Sequence, residues 1–208
     1  MKSEFAPSLQ GGPPAEVLSL ASRRSGAGAN LASQAREIAL ACQAMAARFQ
    51  RRGKLIAFGD GAAGSDAQHV AVEFLHPVIV GKRALPAICL LSDVATLTGA
   101  AESGGWGESF AVPLRRCSRP ADIALGISAR REPENVRRAF QAARELGLLT
   151  VSLAGEREGP SAPVDHRIVV GSGDPLIARE VEVTAYHLLW ELVHVFLEQP
   201  ALRRPLGA

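Results

Sequence analysis

The segment from Lys54 to Glu73, KLIAFGDGAAGSDAQHVAVE, constrains the fold more than any other part of the chain. It predicts a short apolar strand over 55–58, a turn of small residues over 59–64, and a helix with Ser65 as its N-cap. A strand that leads through such a turn into a helix directs backbone N–H groups and the positive end of a helix dipole at one point. The segment therefore predicts an α/β fold with an anion-binding turn. Many doubly wound sheets carry similar turns without a ligand, so that alternative stays open.

The predicted helix carries a histidine and a glutamate four residues apart. His69 and Glu73 therefore lie on the same helix face. Such a pair can ligate a metal or transfer protons, and it can equally be a solvated surface pair. A second histidine far downstream, His187, makes a functional role more plausible than the pair does alone.

The rest of the chain alternates apolar runs with helical patterns. A helix over 34–52 ends at Gly53, and further strands are predicted over 84–92, 121–128, 148–155 and 164–170. A short helix begins the segment 93–107, which continues as a glycine-rich loop, and helices follow over 109–116, 136–147 and 174–199. Nearly continuous apolar strands are typical of a parallel sheet that is covered on both faces. The expected fold is a three-layer αβα sandwich with a five-stranded parallel sheet.

Composition excludes several classes of function. The net charge is +2, which is too small to favour binding to nucleic acid or to an anionic membrane surface. No apolar run approaches the roughly 20 residues of a membrane span, and the N-terminus lacks the apolar core of a signal peptide. Cys42 and Cys89 lie in apolar runs where buried thiols are expected, which indicates a reducing compartment. The sequence predicts a cytoplasmic protein.

The N-terminal residues differ in composition from the rest of the chain. Residues 1–30 are rich in Gly, Pro, Ser and Ala, with a possible short helix at AEVLSLASRR, and they predict a flexible arm. Residues 31–200 are expected to form a single domain, and residues 201–208 a C-terminal tail. The wide apolar faces of helix 34–52 and of the last helix exceed what one small sheet can cover, which favours a symmetric oligomer.

With these landmarks placed, the chain resembles the sugar isomerase (SIS) domain family, in its phosphoheptose isomerase branch, from about residue 33 to residue 198. The resemblance rests on the segments 54–73, 85–94 (LPAICLLSDV), 122–128 (DIALGIS) and 142–155 (AARELGLLTVSLAG), and on the last helix with His187. It implies a homotetramer with active sites at subunit interfaces. It also implies a bound zinc ion and interconversion of sedoheptulose 7-phosphate with a D-glycero-D-manno-heptose 7-phosphate.

The resemblance also implies roles for individual residues. It gives His69, Glu73 and His187 as metal ligands, with Glu73 and His187 as the acid–base pair. An aldose–ketose isomerisation needs such a pair, because a proton leaves one carbon and another returns to its neighbour through an enediol. A phosphorylated sugar would contact the positions that match the family's substrate loops: Asp60, Gly61, Ala62, Ala63, Glu102, Ser103, Ser128, Ala129, Arg130 and Arg179.

Several of these positions depart from the family pattern. The turn at Asp60 has gained a carboxylate and lost a hydroxyl, Glu102-Ser103 replaces an Asn-Asp pair, and the loop 128–133 has exchanged hydroxyls for arginines. Arg179 stands where the family has a glutamine ligand. A guanidinium has no lone pair to offer a metal, so Arg179 argues against a resident zinc. The three remaining ligands could still hold zinc weakly, with water completing the shell or with Glu180 as a further ligand.

Three hypotheses follow from the resemblance and its departures. The protein is a phosphoheptose isomerase-like enzyme, or an isomerase retuned to another phosphorylated or nucleotide-linked sugar. Alternatively, it is a non-catalytic SIS-domain protein that binds a sugar phosphate or a replication initiator. The retained His–Glu–His set favours the two isomerase hypotheses. The altered loops favour either an isomerase with a different substrate or a protein that has lost catalysis.

Overall fold

The computed structural model describes residues 13–25, 27–128, 132–155 and 161–199. Its sheet has five strands, all parallel, in the spatial order β2-β1-β3-β4-β5. The strands are β1 (Leu55–Gly59), β2 (Ala87–Cys89), β3 (Ile123–Ser128), β4 (Leu149–Ala154) and β5 (His166–Val169). The predicted five-stranded parallel sheet is confirmed.

Helices cover both faces of this sheet. The helices are α1 (Ala15–Ser25), α2 (Ala27–Ser33), α3 (Ala35–Gln50), α4 (Ala62–Leu75), α5 (Val94–Gly104), α6 (Ala111–Cys117), α7 (Glu134–Glu145) and α8 (Pro175–Glu198). Helices α3, α4 and α8 contribute to one apolar core, and α6 and α7 contribute to the other. The three-layer αβα sandwich expected from the sequence is therefore present.

The two cores follow from the two-residue period of a strand. Leu55 and Ala57 of β1 belong to the core under α3, α4 and α8, whereas Ile56 and Phe58 point into the core under α6 and α7. Gly126 of β3 lets Phe58 and Phe140 approach, because a Cβ there would lie 2.5 Å from the Phe140 ring. Both strands are buried on both sides, as their continuous apolar runs predicted.

The N-terminal segment contains two helices. The short helix predicted at AEVLSLASRR is present as α1, whose residues are exposed. Its Arg23 pairs with Asp174, the N-cap of α8, and its Arg24 pairs with Glu180 of α8. Helix α2 buries Leu31 in the larger core. The flexibility predicted for residues 1–30 stays a prediction, and residues 1–12 lie outside the described residues.

Strand β2 is shorter and more exposed than predicted. The run 84–92 was expected to be buried on both faces, but only Ala87–Cys89 are a strand and Ile88 is 37% exposed. β2 pairs with β1 alone, so it lies at the edge of the sheet, and Pro86 precedes it without an N–H to donate. The segment 93–107 is also more regular than expected, because α5 is followed by a 3-10 turn at Trp106–Glu108.

Two predicted helix boundaries were wrong. Helix α4 begins at Ala62 with Gly61 as its N-cap, so Ser65 lies inside the first turn and donates to the Ala62 carbonyl. Helix α3 ends at Gln50 rather than at residue 52. After its end, Arg52 and not Gly53 has a positive φ, of 61°. Gly53 is required by close packing instead, since a Cβ there would lie 2.0 Å from the Ala121 carbonyl oxygen.

The thiols of Cys42 and Cys89 are buried, as predicted, and burial raises the pKa of both. Within the described ranges, none of the helices combines the length and apolar character of a membrane span.

Candidate active site

Three side chains from the two helices α4 and α8 lie close together. Glu73 Oε1 lies 3.1 Å from His69 Nε2 and 4.0 Å from His187 Nε2. The Glu73 side chain is 11% exposed, whereas the two imidazoles are 41% and 46% exposed. A buried carboxylate between two accessible imidazoles can exchange protons with a bound molecule. The convergence of these three residues, which the resemblance implied, is present.

Packing of α4 against α8 brings the cluster together. Both helices bury apolar residues in the same core, including Val70 and Phe74 of α4 and Leu189 of α8. Helix α8 begins with Asp174 as its N-cap, whose carboxylate accepts from the Leu176 N–H, and Pro175 follows at the first helical position. His187 thus lies in the middle of a long, well-anchored helix.

The cluster fits a divalent metal with three protein ligands. One nitrogen from each histidine and one oxygen of Glu73 all lie within 4.8 Å of one another. Two histidines and one carboxylate are a donor set that zinc uses in catalytic sites, where the fourth position holds water or substrate. The cluster therefore does not need a fourth protein ligand to hold a zinc ion.

The guanidinium of Arg179 forms hydrogen bonds with residues at the start of α4. Its Nη2 donates to the Ala62 carbonyl at 3.2 Å, to Ser65 Oγ at 3.1 Å and to Asp66 Oδ2 at 3.1 Å. Asp66 is buried, so it provides a counter-ion in a poorly solvated position. The Glu180 carboxylate accepts hydrogen bonds from Arg24 in this arrangement, so its role as a metal ligand stays a prediction.

Sequence reasoning missed Glu182, which lies beside this ion pair. Its side chain is fully buried, and neither carboxylate oxygen has a hydrogen-bond partner among the described residues. Burial raises the pKa of Glu182 from 4.5 to about 7, with a further rise from Asp66 and an opposing effect of Arg179. The signal was the glutamate's position on the apolar face of α8, four residues before Tyr186.

Tyr186 is the second residue that sequence reasoning missed. Its hydroxyl lies 2.6 Å from His69 Nδ1, and its ring contacts the rings of His69 and His187 edge to face. Burial raises the pKa of Tyr186, and the nearby carboxylates of Asp66 and Glu73 raise it further. The phenol therefore stays protonated and fixes the orientation of the His69 ring.

The turn after β1 is tied to two other segments by Asp60. Its carboxylate accepts from the Gly61 N–H at 2.9 Å, from Trp106 Nε1 at 3.2 Å and from Asn135 Nδ2 at 3.3 Å. Gly61 has a φ of 57°, which favours glycine at this position. The Asp60 carboxylate thus holds the turn against Trp106 and α7, and its contact with a substrate stays a prediction.

The other predicted substrate residues are placed as follows. Glu102 and Ser103 are exposed in the last turn of α5, where the Ser103 hydroxyl donates to carbonyls of the same helix. Ser128 is buried at the end of β3. Ala129 and Arg130 lie outside the described residues, so their predicted contact with phosphate stays a prediction.

A cavity of about 710 Å³ lies beside the cluster rather than at it. Its walls come from α4, the edge strand β2, α5 and α6, with Val72, Ile88 and Thr96 among the lining residues. The His–Glu–His cluster is not part of this wall. This cavity is mainly apolar, which does not suit a phosphorylated sugar.

Comparison of the sequence with known proteins gives a consistent result. Residues 25–155 match the SIS domain family. The chain is 36% identical over 171 residues to a phosphoheptose isomerase of Desulfovibrio desulfuricans, covering 81% of this chain and 80% of that protein. It is also 36% identical over 158 residues to a phosphoheptose isomerase of Solidesulfovibrio magneticus, covering 76% and 77%.

Solved structures extend the likeness to three dimensions. The phosphoheptose isomerase of Francisella tularensis superposes with a TM-score of 0.77 at 26% identity, covering 86% of this chain and 97% of that one. The phosphoheptose isomerase of Neisseria gonorrhoeae, at 23% identity, shares the fold with a TM-score of 0.76, covering 86% and 96%. The chain belongs to the SIS domain family, in its phosphoheptose isomerase branch.

Proposed function

We propose that this protein is an aldose–ketose isomerase that interconverts sedoheptulose 7-phosphate and a D-glycero-D-manno-heptose 7-phosphate, or a closely related sugar phosphate. The observation that carries this proposal is the approach of Glu73 to both His69 and His187. The relatives named phosphoheptose isomerase support the substrate class.

In this proposal Glu73 transfers protons to and from carbon atoms of the substrate, and His187 transfers protons at its oxygen atoms. The Glu73 carboxylate is mostly buried and lies against His69, so it is oriented and only partly solvated, which suits a base that takes a proton from carbon. His187 is more exposed and can transfer protons at the substrate oxygens as the enediol forms and collapses. The protonated side chain of Glu73 then returns its proton to the neighbouring carbon of the substrate.

A zinc ion, if held by His69, Glu73 and His187, would supply Lewis-acid stabilisation of the enediolate oxygens. The three donors favour such a site, and the guanidinium of Arg179 opposes it by charge. We therefore propose that zinc is held weakly. A cytoplasmic location, expected from the sequence, also stays a prediction.

A turnover assay tests the proposal. Purified protein is incubated with sedoheptulose 7-phosphate, with added zinc or with a chelator, and the aldose product is followed. We expect product formation. If neither condition gives turnover and no sugar phosphate raises the melting temperature, the isomerase proposal fails.

A non-catalytic binding role is the second candidate. It is favoured by the turn at Ala62 and Ala63, which offers no side-chain hydroxyl to a substrate, and by Arg179 at the metal-ligand position. This candidate predicts that sugar phosphates bind without being converted. Ligand-induced stabilisation without turnover would support it against the isomerase.

Replacing Arg179 by glutamine is expected to strengthen zinc binding about tenfold or more. The change removes a positive charge beside the cluster and offers an amide oxygen in its place. Competition with a chromophoric chelator measures the affinity. Arg179→Leu, which removes the charge without adding a donor, separates the two contributions. Equal zinc affinity in all three proteins would contradict the role given to Arg179.

We also propose that the protein is a homotetramer. Its outer surface exposes apolar residues on α4 and in the following loop: Val72, Leu75, Val78, Ile79 and Val80. Contiguous exposed apolar residues indicate a protein–protein interface. A neighbouring subunit at this surface would also limit solvent access to the half-exposed histidines nearby.

Leu75→Asp is expected to reduce the assembly to smaller species. Leu75 is 53% exposed in the single chain, and a carboxylate buried at an interface is strongly disfavoured. Light scattering after size-exclusion chromatography should give about four times 21.9 kDa for the parent protein and less for the variant. Gln141→Asp, on the exposed face of α7, is the control. A monomeric parent protein would contradict the proposed assembly.

A further inference from the structure

Trp106 is a half-exposed tryptophan whose ring is held in one orientation. The residue is 52% exposed, although a tryptophan side chain is mostly apolar and is usually well buried. Its Nε1 donates a hydrogen bond to Asp60 Oδ2 at 3.2 Å. This N–H is the only polar group of an indole, so the exposed surface of Trp106 is mainly that of its apolar ring.

The segment that carries Trp106 is anchored to two helices. It forms the 3-10 turn Trp106–Glu108, and Gly105 before it has a φ of 78°. Glu108 accepts hydrogen bonds from Arg115 of α6 at 3.1 Å and from Arg138 of α7 at 2.7 Å. These ion pairs and the bond to Asp60 together hold the indole beside the turn after β1.

The turn after β1 lies at a topological switch point of the sheet. β1 has β2 on one side and β3 on the other. After β1 the chain continues into α4, which covers one face, and after β3 it continues towards α7, which covers the other. In parallel sheets the ligand crevice lies beyond the carboxyl ends of the strands at such a point. Trp106 and Asn135 of α7 both donate to Asp60 Oδ2 here, so the indole borders this crevice.

We propose that Trp106 binds the substrate by packing its indole ring against the carbon chain of the sugar phosphate. This inference rests on the proposed function and deepens it, because it assigns a residue to the carbon-bound hydrogens of the substrate. Sites for small molecules combine a few polar groups with aromatic or apolar walls. Asp60, His69 and Glu73 are such polar groups, and the negative face of an aromatic ring attracts the weakly positive hydrogens of carbons that carry hydroxyls.

The hydrogen bond to Asp60 limits what Trp106 can recognise. Because its N–H is donated to the carboxylate, the indole has no further polar group for a hydroxyl or a phosphate of the substrate. Its contribution therefore depends on the carbon chain. Burial of the exposed part of an indole against a ligand strengthens binding by roughly five- to fifty-fold. Inorganic phosphate, which has no carbon-bound hydrogen, gains nothing from this contact.

The first test measures the affinity for sedoheptulose 7-phosphate by calorimetry. Trp106→Ala should weaken binding by about five- to fifty-fold. Trp106→Phe loses the bond to Asp60 but keeps an aromatic face, and its affinity should stay within about threefold of the parent value. Leu18→Ala on α1 is the matched control, because Leu18 is exposed to a similar extent, 55%, and its removal should leave the affinity unchanged.

Three outcomes of this test would overturn the proposal. The first is an unchanged affinity in Trp106→Ala. The second is an equal loss in Trp106→Ala and Trp106→Phe, which would assign the effect to the bond with Asp60 and not to the ring. The third is a smaller assembly in light scattering of Trp106→Ala, which would make Trp106 an interface residue.

The second test observes the indole directly. The chain has two tryptophans, and Trp190 is buried, so Trp190→Phe leaves Trp106 as the only one. Sedoheptulose 7-phosphate should reduce acrylamide quenching of its fluorescence by about twofold or more, because a bound ligand covers the ring. Inorganic phosphate should not reduce it. Equal protection by both compounds, or by neither, would overturn the proposal, and the first test does not need this substitution.

The two tests separate this inference from the proposed function. Protection of Trp106 by sedoheptulose 7-phosphate without product formation would support the contact while the isomerase proposal fails. Turnover by the parent protein, with no effect of Trp106→Ala on affinity, would support the isomerase and overturn the contact.

Discussion

Glu73→Gln is expected to lower kcat for sugar-phosphate isomerisation by about 10²- to 10⁴-fold. This is the usual contribution of a positioned acid–base group, and an amide cannot accept the proton that leaves carbon. Glu73 is mostly buried and lies between the two histidines, so no other carboxylate in the described cluster can replace it. The product assay with sedoheptulose 7-phosphate measures the effect.

A matched control separates catalysis from charge and folding. Glu191→Gln makes the same chemical change on the exposed face of α8 and should leave kcat within about twofold of the parent value. Circular dichroism of both variants checks that the fold is retained. If Glu73→Gln retained more than a tenth of the parent kcat, Glu73 would not be the base.

Glu182→Gln is expected to flatten the dependence of stability on pH. The folded-state pKa of about 7 exceeds the ordinary value of 4.5, so between these values the folded protein keeps a proton that the unfolded chain has released. Stability from this group is therefore present at low pH and is lost as pH rises through 7. Between pH 5 and pH 8 the loss amounts to about 2 to 3 kcal/mol.

Urea unfolding at pH 5 and pH 8, at one protein concentration, tests this expectation. The parent protein should lose about 2 to 3 kcal/mol more than Glu182→Gln between the two pH values, since glutamine does not titrate. Glu191→Gln should keep the parent slope, because that residue is exposed. Identical slopes for Glu182→Gln and the parent would show that Glu182 is not protonated in the folded state near neutral pH.

The fold was largely predictable because its signals are local. Continuous apolar runs gave the five strands, and small residues marked the turn after β1. The wrong predictions concern positions whose local structure depends on tertiary contacts. Edge strand β2 is exposed at Ile88, which lines the cavity between α4, α5 and α6. Helix α4 begins at Ala62 because Gly61 rather than Ser65 adopts the capping position.

The site was predictable only in part. Helical spacing placed His69 beside Glu73, but the approach of His187 depends on how α4 packs against α8, and only the family resemblance implied it. Tyr186 and Glu182 resemble ordinary positions of a buried helix in the sequence. The role of Tyr186 depends on its contact with His69 of α4. The role of Glu182 depends on the nearby ion pair between Asp66 of α4 and Arg179.

Isomerisation in D₂O tests the central claim most directly, because a proton that passes through Glu73 exchanges with solvent. NMR of the products formed from sedoheptulose 7-phosphate should show deuterium at C2 of the aldose with the parent protein. With Glu73→Gln, product formation and deuterium exchange should both be slower by about 10²- to 10⁴-fold. Conversion that proceeds equally well with Glu73→Gln, or the absence of both exchange and conversion with the parent protein, would contradict the account.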